Sequence, residues 1–309
     1  MPAVDVLLPA KLSPLYVEQL EREFAAHRLP DLSAASKVRA IACGGETQLP
    51  SDLIAQLPAL EIISVMGVGY DGVDVAAAKA KGVMVTHTPD VLNDDVADVA
   101  IGLMLCTSRQ FPQADRFVRE GKWTQGAMPL QRKMSGARLG LVGMGRIGQA
   151  IAKRALGFGM SIAYNSRTPK KELPYTFHAD VRDLARASDF LVVITPGGEG
   201  TRKMINAEVL QALGKKGILV NVARGSVVDE AALIEALKNG VIGGAGLDVF
   251  ENEPIVPQAL RDMPHVVLTP HVGSATTQTR QAMADLAMDN LRAHFAGRPV
   301  KTPVPECRA

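Results

Sequence analysis

Three polar residues in the second half of the chain each follow a short apolar run: Arg224 after Ile218–Val222, Glu253 after Ala245–Val249, and His271 after Val266–Thr269. Ligands of parallel sheets bind beyond the carboxyl ends of the strands, so side chains at these positions can reach a substrate. An imidazole can give a proton to an oxygen that is becoming negative and take it back in the reverse direction. A neighbouring carboxylate favours the charged ring, and a guanidinium adds fixed positive charge where the negative charge develops. Glu251 could serve His271 as well as Glu253 by distance alone, although the adjoining Pro254 favours Glu253. His271 differs from the other histidines in its strand-end position and nearby glycine. His27, His87, His178, His265 and His294 read as structural or surface residues.

A second cluster lies upstream. Gly143-Met144-Gly145-Arg146-Ile147-Gly148 has the form G-x-G-x-x-G, a weak signal alone. It follows the apolar run Arg138–Val142 and opens an amphipathic pattern over Ile147–Phe158, the context in which it predicts dinucleotide binding. The first glycine permits the turn, and the second lets the backbone approach a pyrophosphate. The third lets helix and strand pack closely, while the helix N-terminus favours the phosphate charge. Arg146 is a candidate pyrophosphate contact.

The end of the next strand discriminates between cofactors. An Asp or Glu about twenty residues past the glycines grips the ribose hydroxyls of NAD. This chain instead has Asn165, Ser166 and Arg167, followed by Lys170 and Lys171, with no carboxylate between Gly159 and Lys171. A hydroxyl, a guanidinium and nearby ammonium groups suit a 2′-phosphate. NADP is therefore the expected cofactor, with NAD as a lesser partner.

These residues need a scaffold that alternates strands and helices. Strands are expected at Val4–Leu8, Val38–Cys43, Ile62–Met66 and Val83–Thr86, and helices at Pro14–Ala26, Ser51–Gln56 and Val75–Lys81. A long helix over Asp95–Arg109, capped by Asn93 or Asp94, is followed by irregular sequence at Gly121–Gly136. A second series has strands at Arg138–Val142, Ser161–Asn165, Phe190–Thr195, Ile218–Val222, Ala245–Val249 and Val266–Thr269. The last helix, Ala275–Ala296, stops at Gly297 with Pro299 beyond. Such alternation predicts two α/β domains with Rossmann-like or flavodoxin-like parallel sheets and an interdomain cleft. The expected division is 1–97 with 279–309 for substrate and 98–278 for NADP, the final helix returning to the first domain.

Composition agrees. The 309 residues are 47% hydrophobic but only 4% aromatic, which suits aliphatic parallel strands under Ala-rich helices. A net charge of +2 argues against nucleic-acid or acidic-membrane partners. Cys43, Cys106 and Cys307 are too widely spaced for a zinc site and are odd in number, so reduced thiols in the cytoplasm and no metal are expected. The N-terminus reads as a strand and not as a signal peptide, and no apolar run is long enough to span a membrane.

Taken together, GMGRIG, NVARGSVVDE at 221–230, GAGLDVFENEP at 244–254 and TPHVGSAT at 269–276 resemble the D-isomer-specific 2-hydroxyacid dehydrogenases. MGVGYDGVD at 66–74 resembles that family's substrate loop, and the order of motifs agrees over nearly the whole chain. Within the family, MPLQRKMSG at 128–136 and the YNSR strand end look most like the glyoxylate/hydroxypyruvate reductases. The resemblance implies hydride transfer between NADPH and a small 2-oxo or 2-hydroxy acid. Arg224 would bind the substrate carboxylate and polarise the carbonyl, His271 would be the acid/base, and Glu253 would orient and tune it. Val68 and Gly69 would offer backbone N–H groups to the carboxylate, with Ser274 also at the substrate. Thr195, Pro196, Val222, Ala223, Arg224, Asp248, His271 and Gly273 would join 143–148 and 165–167 in lining the cofactor site, Asp248 near the nicotinamide amide. The TPGGEGT segment departs from the family's commoner version. A homodimer formed through Asp98–Gly136 is also implied, with Trp123 a packing or dimer-contact residue and Met128 and Leu130 at the pocket wall. Two alternatives stay open: a same-fold dehydrogenase for D-lactate, phosphite or formate, and a non-catalytic NAD(P)-sensing corepressor. The intact Arg224, Glu253 and His271, and a C-terminus with no room for a regulatory domain, argue against the second.

Overall fold

In the computed structural model, which describes residues 4–308, the first strands form where apolar residues run without interruption. β1 (Asp5–Leu8), α1 (Pro14–Glu23), β2 (Ala25–Arg28), β3 (Val38–Gly44), α2 (Ser51–Ala55), β4 (Ile62–Met66), α3 (Val75–Ala80) and β5 (Met84–Thr86) follow in order. Their sheet is wholly parallel, in the order β2-β1-β3-β4-β5. All five residues of β4 are buried, as expected for a strand covered on both faces.

The helix expected over Pro14–Ala26 stops at Glu23 because Phe24 is extended (φ −130°, ψ 157°). The Ala25–Arg28 stretch, composed for a helix, pairs instead with β1, and Ala25 N–H donates to the Val4 carbonyl at 2.9 Å. Pairing outweighs alanine's propensity here.

A second series begins with α4 (Asn93–Arg109) and α5 (Phe111–Arg119), then a 3-10 turn at Lys122–Gln125. β6 (Arg138–Val142), α6 (Arg146–Leu156), β7 (Ser161–Asn165), β8 (Thr176–Phe177), α7 (Val181–Arg186) and β9 (Phe190–Val193) come next. α8 (Ala207–Leu213), β10 (Ile218–Asn221), α9 (Glu230–Lys238), β11 (Gly244–Leu247), α10 (Gln258–Asp262) and β12 (Val266–Leu268) complete it. The seven parallel strands lie in the order β12-β11-β10-β9-β6-β7-β8. Successive strands run one way from β6 through β7 and the other way from β9, so the order reverses between β6 and β9. A crevice at such a reversal is where sheets of this kind bind ligands.

The compact units divide at Leu92/Asn93 and Ser274/Ala275, against the 97/98 and 278/279 read from sequence. α4 begins at Asn93, two residues before the Asp95 read from sequence. Its first turns belong to the second unit because Arg154 of α6 pairs with Asp94 at 2.9 Å and Asp98 at 2.6 Å. Farther along, Leu103 and Thr107 lie where a side chain at Gly246 of β11 would intrude, each 3.0 Å from its Cβ position. The last helix, α11 (Thr277–Phe295), packs in the first unit. Its Ala287 carbonyl accepts from Ser64 Oγ at 3.1 Å, and the Tyr16 hydroxyl reaches the same serine at 3.3 Å. Among the described residues, no helix is long and apolar enough to cross a membrane.

Candidate functional site

The glycine-rich turn links β6 to α6 with close tolerances. Gly143 has φ +109°, and its N–H donates to the Asn165 carbonyl of β7 at 2.9 Å. A Cβ there would lie 2.8 Å from the Ile194 carbonyl oxygen and 2.9 Å from Thr195 N, so the segment after β9 abuts the turn. A Cβ on Gly148 would run into the Gly143 carbonyl, which accounts for the third glycine. Space beside Gly145 is open. Met144 is buried, while Gly145 and Arg146 face solvent at the N-terminus of α6. A crowded turn with one open glycine at a helix N-terminus fits a pyrophosphate.

At the end of β7, the residues expected to contact a cofactor divide. Asn165 is buried and donates through Nδ2 to the carbonyls of His178 and Ala179 at 2.9 and 3.0 Å, so its side chain is used inside the fold. Ser166 Oγ donates to the Thr168 carbonyl at 2.7 Å. Arg167 is exposed. Thr195 and Pro196 follow β9, where the Pro196 carbonyl accepts from Thr201 Oγ1 at 2.7 Å.

Beyond β10, Val222 and Ala223 are buried, and Asn221 organises the turn they enter. Its Oδ1 accepts from Ala223 N at 3.1 Å, and its Nδ2 donates to the Arg224 carbonyl at 3.0 Å. Arg224 is half-buried, with Nη1 donating to the Ala223 carbonyl at 2.8 Å. A side chain at Gly225 would overlap the Phe250–Glu251 backbone, so the Arg224 turn lies directly against the segment that carries Glu253.

Glu253 Oε2 meets His271 Nδ1 at 2.8 Å, and Oε1 accepts from Phe250 N at 2.9 Å. Burial alone would raise the Glu253 carboxyl. The His271 hydrogen bond and charge, the Phe250 N–H and the Arg224 charge outweigh it and hold the group below the usual glutamate range. Glu251 faces elsewhere: its N–H donates to Glu230 at 3.3 Å, and its carboxylate lies 4.0 Å from Arg202. Of the two glutamates, Glu253 is the one in contact with His271. With Nδ1 donating to a carboxylate, Nε2 is the ring nitrogen through which His271 would exchange a proton.

His271 has φ +52°, a left-handed conformation disfavoured for non-glycine residues by about 1 kcal/mol or more. Asp248, only 1% exposed, holds it there. Its carbonyl accepts from His271 N at 2.9 Å, and its carboxylate accepts from Thr269 Oγ1 at 2.6 Å and from the N–H groups of Val272 and Gly273 at 2.8 Å each. Asp248, expected near a nicotinamide, is therefore the anchor of the histidine turn. Ser274 closes this unit and is half-buried. Val68 and Gly69 lie in the first unit, in the loop after β4, where the Val68 carbonyl accepts from His87 Nδ1 at 3.0 Å.

Sequence reading missed Asn221 and the turn-anchoring role of Asp248. A polar residue closing an otherwise apolar strand was the available signal for both.

These strand-end residues lie within a segment that matches a known family. Residues 101–273 match the D-isomer specific 2-hydroxyacid dehydrogenase, NAD binding domain. The chain belongs to this family. Similar members include the glyoxylate/hydroxypyruvate reductase A of Arabidopsis thaliana, 47% identical over 98% of this chain and all of that protein. The hydroxyphenylpyruvate reductase of Plectranthus scutellarioides is 46% identical, again over 98% of this chain and all of the relative. Among solved structures, the NADPH-dependent glyoxylate/hydroxypyruvate reductase of Sinorhizobium meliloti, in complex with NADP and malonate, is 50% identical with a TM-score of 0.93, covering 99% of both chains.

Proposed function

We propose that this dehydrogenase reduces small 2-oxo acids, glyoxylate and hydroxypyruvate among them, to 2-hydroxy acids with NADPH. The single observation that carries this reading is the His271–Glu253 pair at 2.8 Å, borne on strand ends of the same sheet as Arg224 and the glycine-rich turn. Relatives with this activity and a member bound to NADP support the substrate and cofactor choice. When bound, the nicotinamide supplies the hydride that reduces C2.

Everything else falls to the chain's own residues. Gly143–Gly148 would hold the pyrophosphate, with Ser166 and Arg167 at the 2′-phosphate. Arg224 would grip the substrate carboxylate and draw electron density toward the carbonyl oxygen, which makes C2 a better hydride acceptor. Val68 and Gly69 would add backbone donors to the carboxylate. His271, charged and aligned by Glu253, would protonate the oxygen as it becomes negative. The direct test is loss of NADPH absorbance with glyoxylate, hydroxypyruvate and hydroxyphenylpyruvate, repeated with NADH. Turnover with none of these, despite cofactor binding, would overturn the substrate assignment.

Cofactor choice has its own test. Arg167 is exposed and takes part in no ion pair among the described residues, so its charge is available to a phosphate. Arg167→Ala should reduce the NADPH-to-NADH preference about tenfold, the scale of one charge-assisted contact. An unaltered ratio of kcat/KM values would place the phosphate contact elsewhere.

The protein is also proposed to work as a homodimer. α5 buries none of its residues, and Phe111, Val118, Trp123 and Leu130 are 46, 56, 68 and 101% exposed. Large apolar side chains clustered in one stretch of sequence suit a protein partner, and the family resemblance makes that partner a second copy. Light scattering should give twice the chain mass, and Trp123→Glu with Leu130→Glu should halve it. A monomer at micromolar concentration would refute this.

A further inference from the structure

We infer that Tyr164 is a positioning residue for cofactor choice: its buried hydroxyl closes the basic turn at 166–170. The inference rests on reading that turn as the 2′-phosphate site. It adds a residue that no contact with the cofactor would reveal.

Tyr164 sits in β7, one residue before the strand end, and is 1% exposed. Its ring packs against Phe177 of β8, centroids 5.5 Å apart and inclined at 56°. From this fixed base the hydroxyl reaches Lys170. It accepts from Lys170 N at 2.7 Å and lies 3.4 Å from the Lys170 carbonyl, to which it can donate. One side chain thus bonds both backbone groups of a residue six positions ahead. The chain between them is tied into a closed loop that displays Ser166 and Arg167.

The loop is secured at its other end as well. Asn165, pointing to the opposite face of the strand, donates to the His178 and Ala179 carbonyls. Ser166 Oγ bonds the Thr168 carbonyl inside the loop. Leu173 N–H donates to the Lys170 carbonyl at 3.1 Å, extending the tie beyond the turn. The exposed Arg167 therefore projects from an ordered backbone, although its guanidinium makes no ion pair among the described residues. A preordered site binds more tightly because less conformational freedom is lost on binding. An NAD ribose carries no phosphate at this position and gains nothing from the ordering, so the tyrosine hydroxyl bears on the NADP-to-NAD ratio and not on dinucleotide affinity in general.

Tyr164→Phe keeps the ring and removes only the hydroxyl. Calorimetric titration of the full-length protein with NADP⁺ and with NAD⁺ gives a readout independent of turnover. The expected result is about fivefold weaker NADP⁺ binding, the scale of one net hydrogen bond, with NAD⁺ affinity unchanged. Hydrogen exchange at the Lys170 amide of the cofactor-free protein should accelerate in the same variant. Arg167→Ala serves as the reference. If Arg167→Ala lowers the ratio and Tyr164→Phe does not, the tyrosine assignment falls and the phosphate site stands. Should Arg167→Ala leave the ratio unchanged, the phosphate site itself is misplaced and both readings fall. Equal weakening of NADP⁺ and NAD⁺ by Tyr164→Phe would mark a merely structural residue and also overturn the inference.

Discussion

Replacing His271 with alanine should lower kcat for 2-oxo acid reduction by about 100- to 10,000-fold, the range for loss of a positioned general acid. NADPH affinity should be retained, since the pyrophosphate turn and the basic loop belong to other strand ends. Alanine alone is an ambiguous probe because the residue occupies φ +52°. Asparagine tolerates that conformation far better and cannot shuttle a proton. A comparable loss in His271→Asn would assign the defect to the ring and not to a relaxed backbone. Turnover within a few fold of wild type in both variants would remove His271 as the acid.

The proposed proton donor gives a second test in the pH dependence: reduction through a charged imidazole should fall on the alkaline side, and oxidation on the acid side. Glu253 has a lowered carboxyl in the folded protein, so its stabilising contribution is fully present above the ordinary glutamate range. It disappears only as pH falls through the lowered value. The carboxylate therefore stays ionised through the neutral region, so an alkaline limb has to come from another group, His271 on the proposed mechanism. That limb should vanish from the residual activity of His271→Asn.

How much of this was legible in the sequence depends on the range of the interaction. β4, β6 and β7 have the bounds read from sequence, because each carries a mostly apolar run whose central residues are largely buried. The glycine spacing was equally readable, since each glycine answers a steric demand within a few residues of itself. β2 and β8 were not, being four and two residues long at the sheet edges with pairing that local composition does not encode. α5 was missed although its sequence is strongly amphipathic; its apolar side chains cover no core, and none of its residues is buried. Within the site, Arg224, Glu253 and His271 stood out as polar residues after apolar strands. Asp248 was singled out for a different role, because the hydrogen bonds to Thr269, Val272 and Gly273 span more than twenty residues. The Tyr164 clamp was invisible for another reason: a buried tyrosine in a strand reads as core, and only the fold shows where its hydroxyl goes.

Arg224→Ala should reduce kcat/KM for the 2-oxo acid by roughly 1,000-fold, with a raised KM as well as a lower kcat. A bidentate guanidinium–carboxylate contact contributes about 3–5 kcal/mol if each charged hydrogen bond contributes about 1.5–3 kcal/mol with imperfect additivity. Part of that interaction grows as the carbonyl oxygen becomes negative, which is why both constants should move. The backbone around Arg224 has independent support from Asn221 on one side and the close Gly225–Phe250 packing on the other. Truncation should therefore leave the thermal midpoint nearly unchanged. Arg224→Lys keeps the charge but loses the planar fork, and should recover only a fraction of the loss. A wild-type KM for glyoxylate in Arg224→Ala would exclude the carboxylate-binding role. The guanidinium charge is also one of the groups that hold Glu253 ionised. Its removal should shift the Glu253 titration upward, whereas Arg224→Lys should largely preserve it, and this separates the electrostatic part of the arginine's role from its grip on substrate.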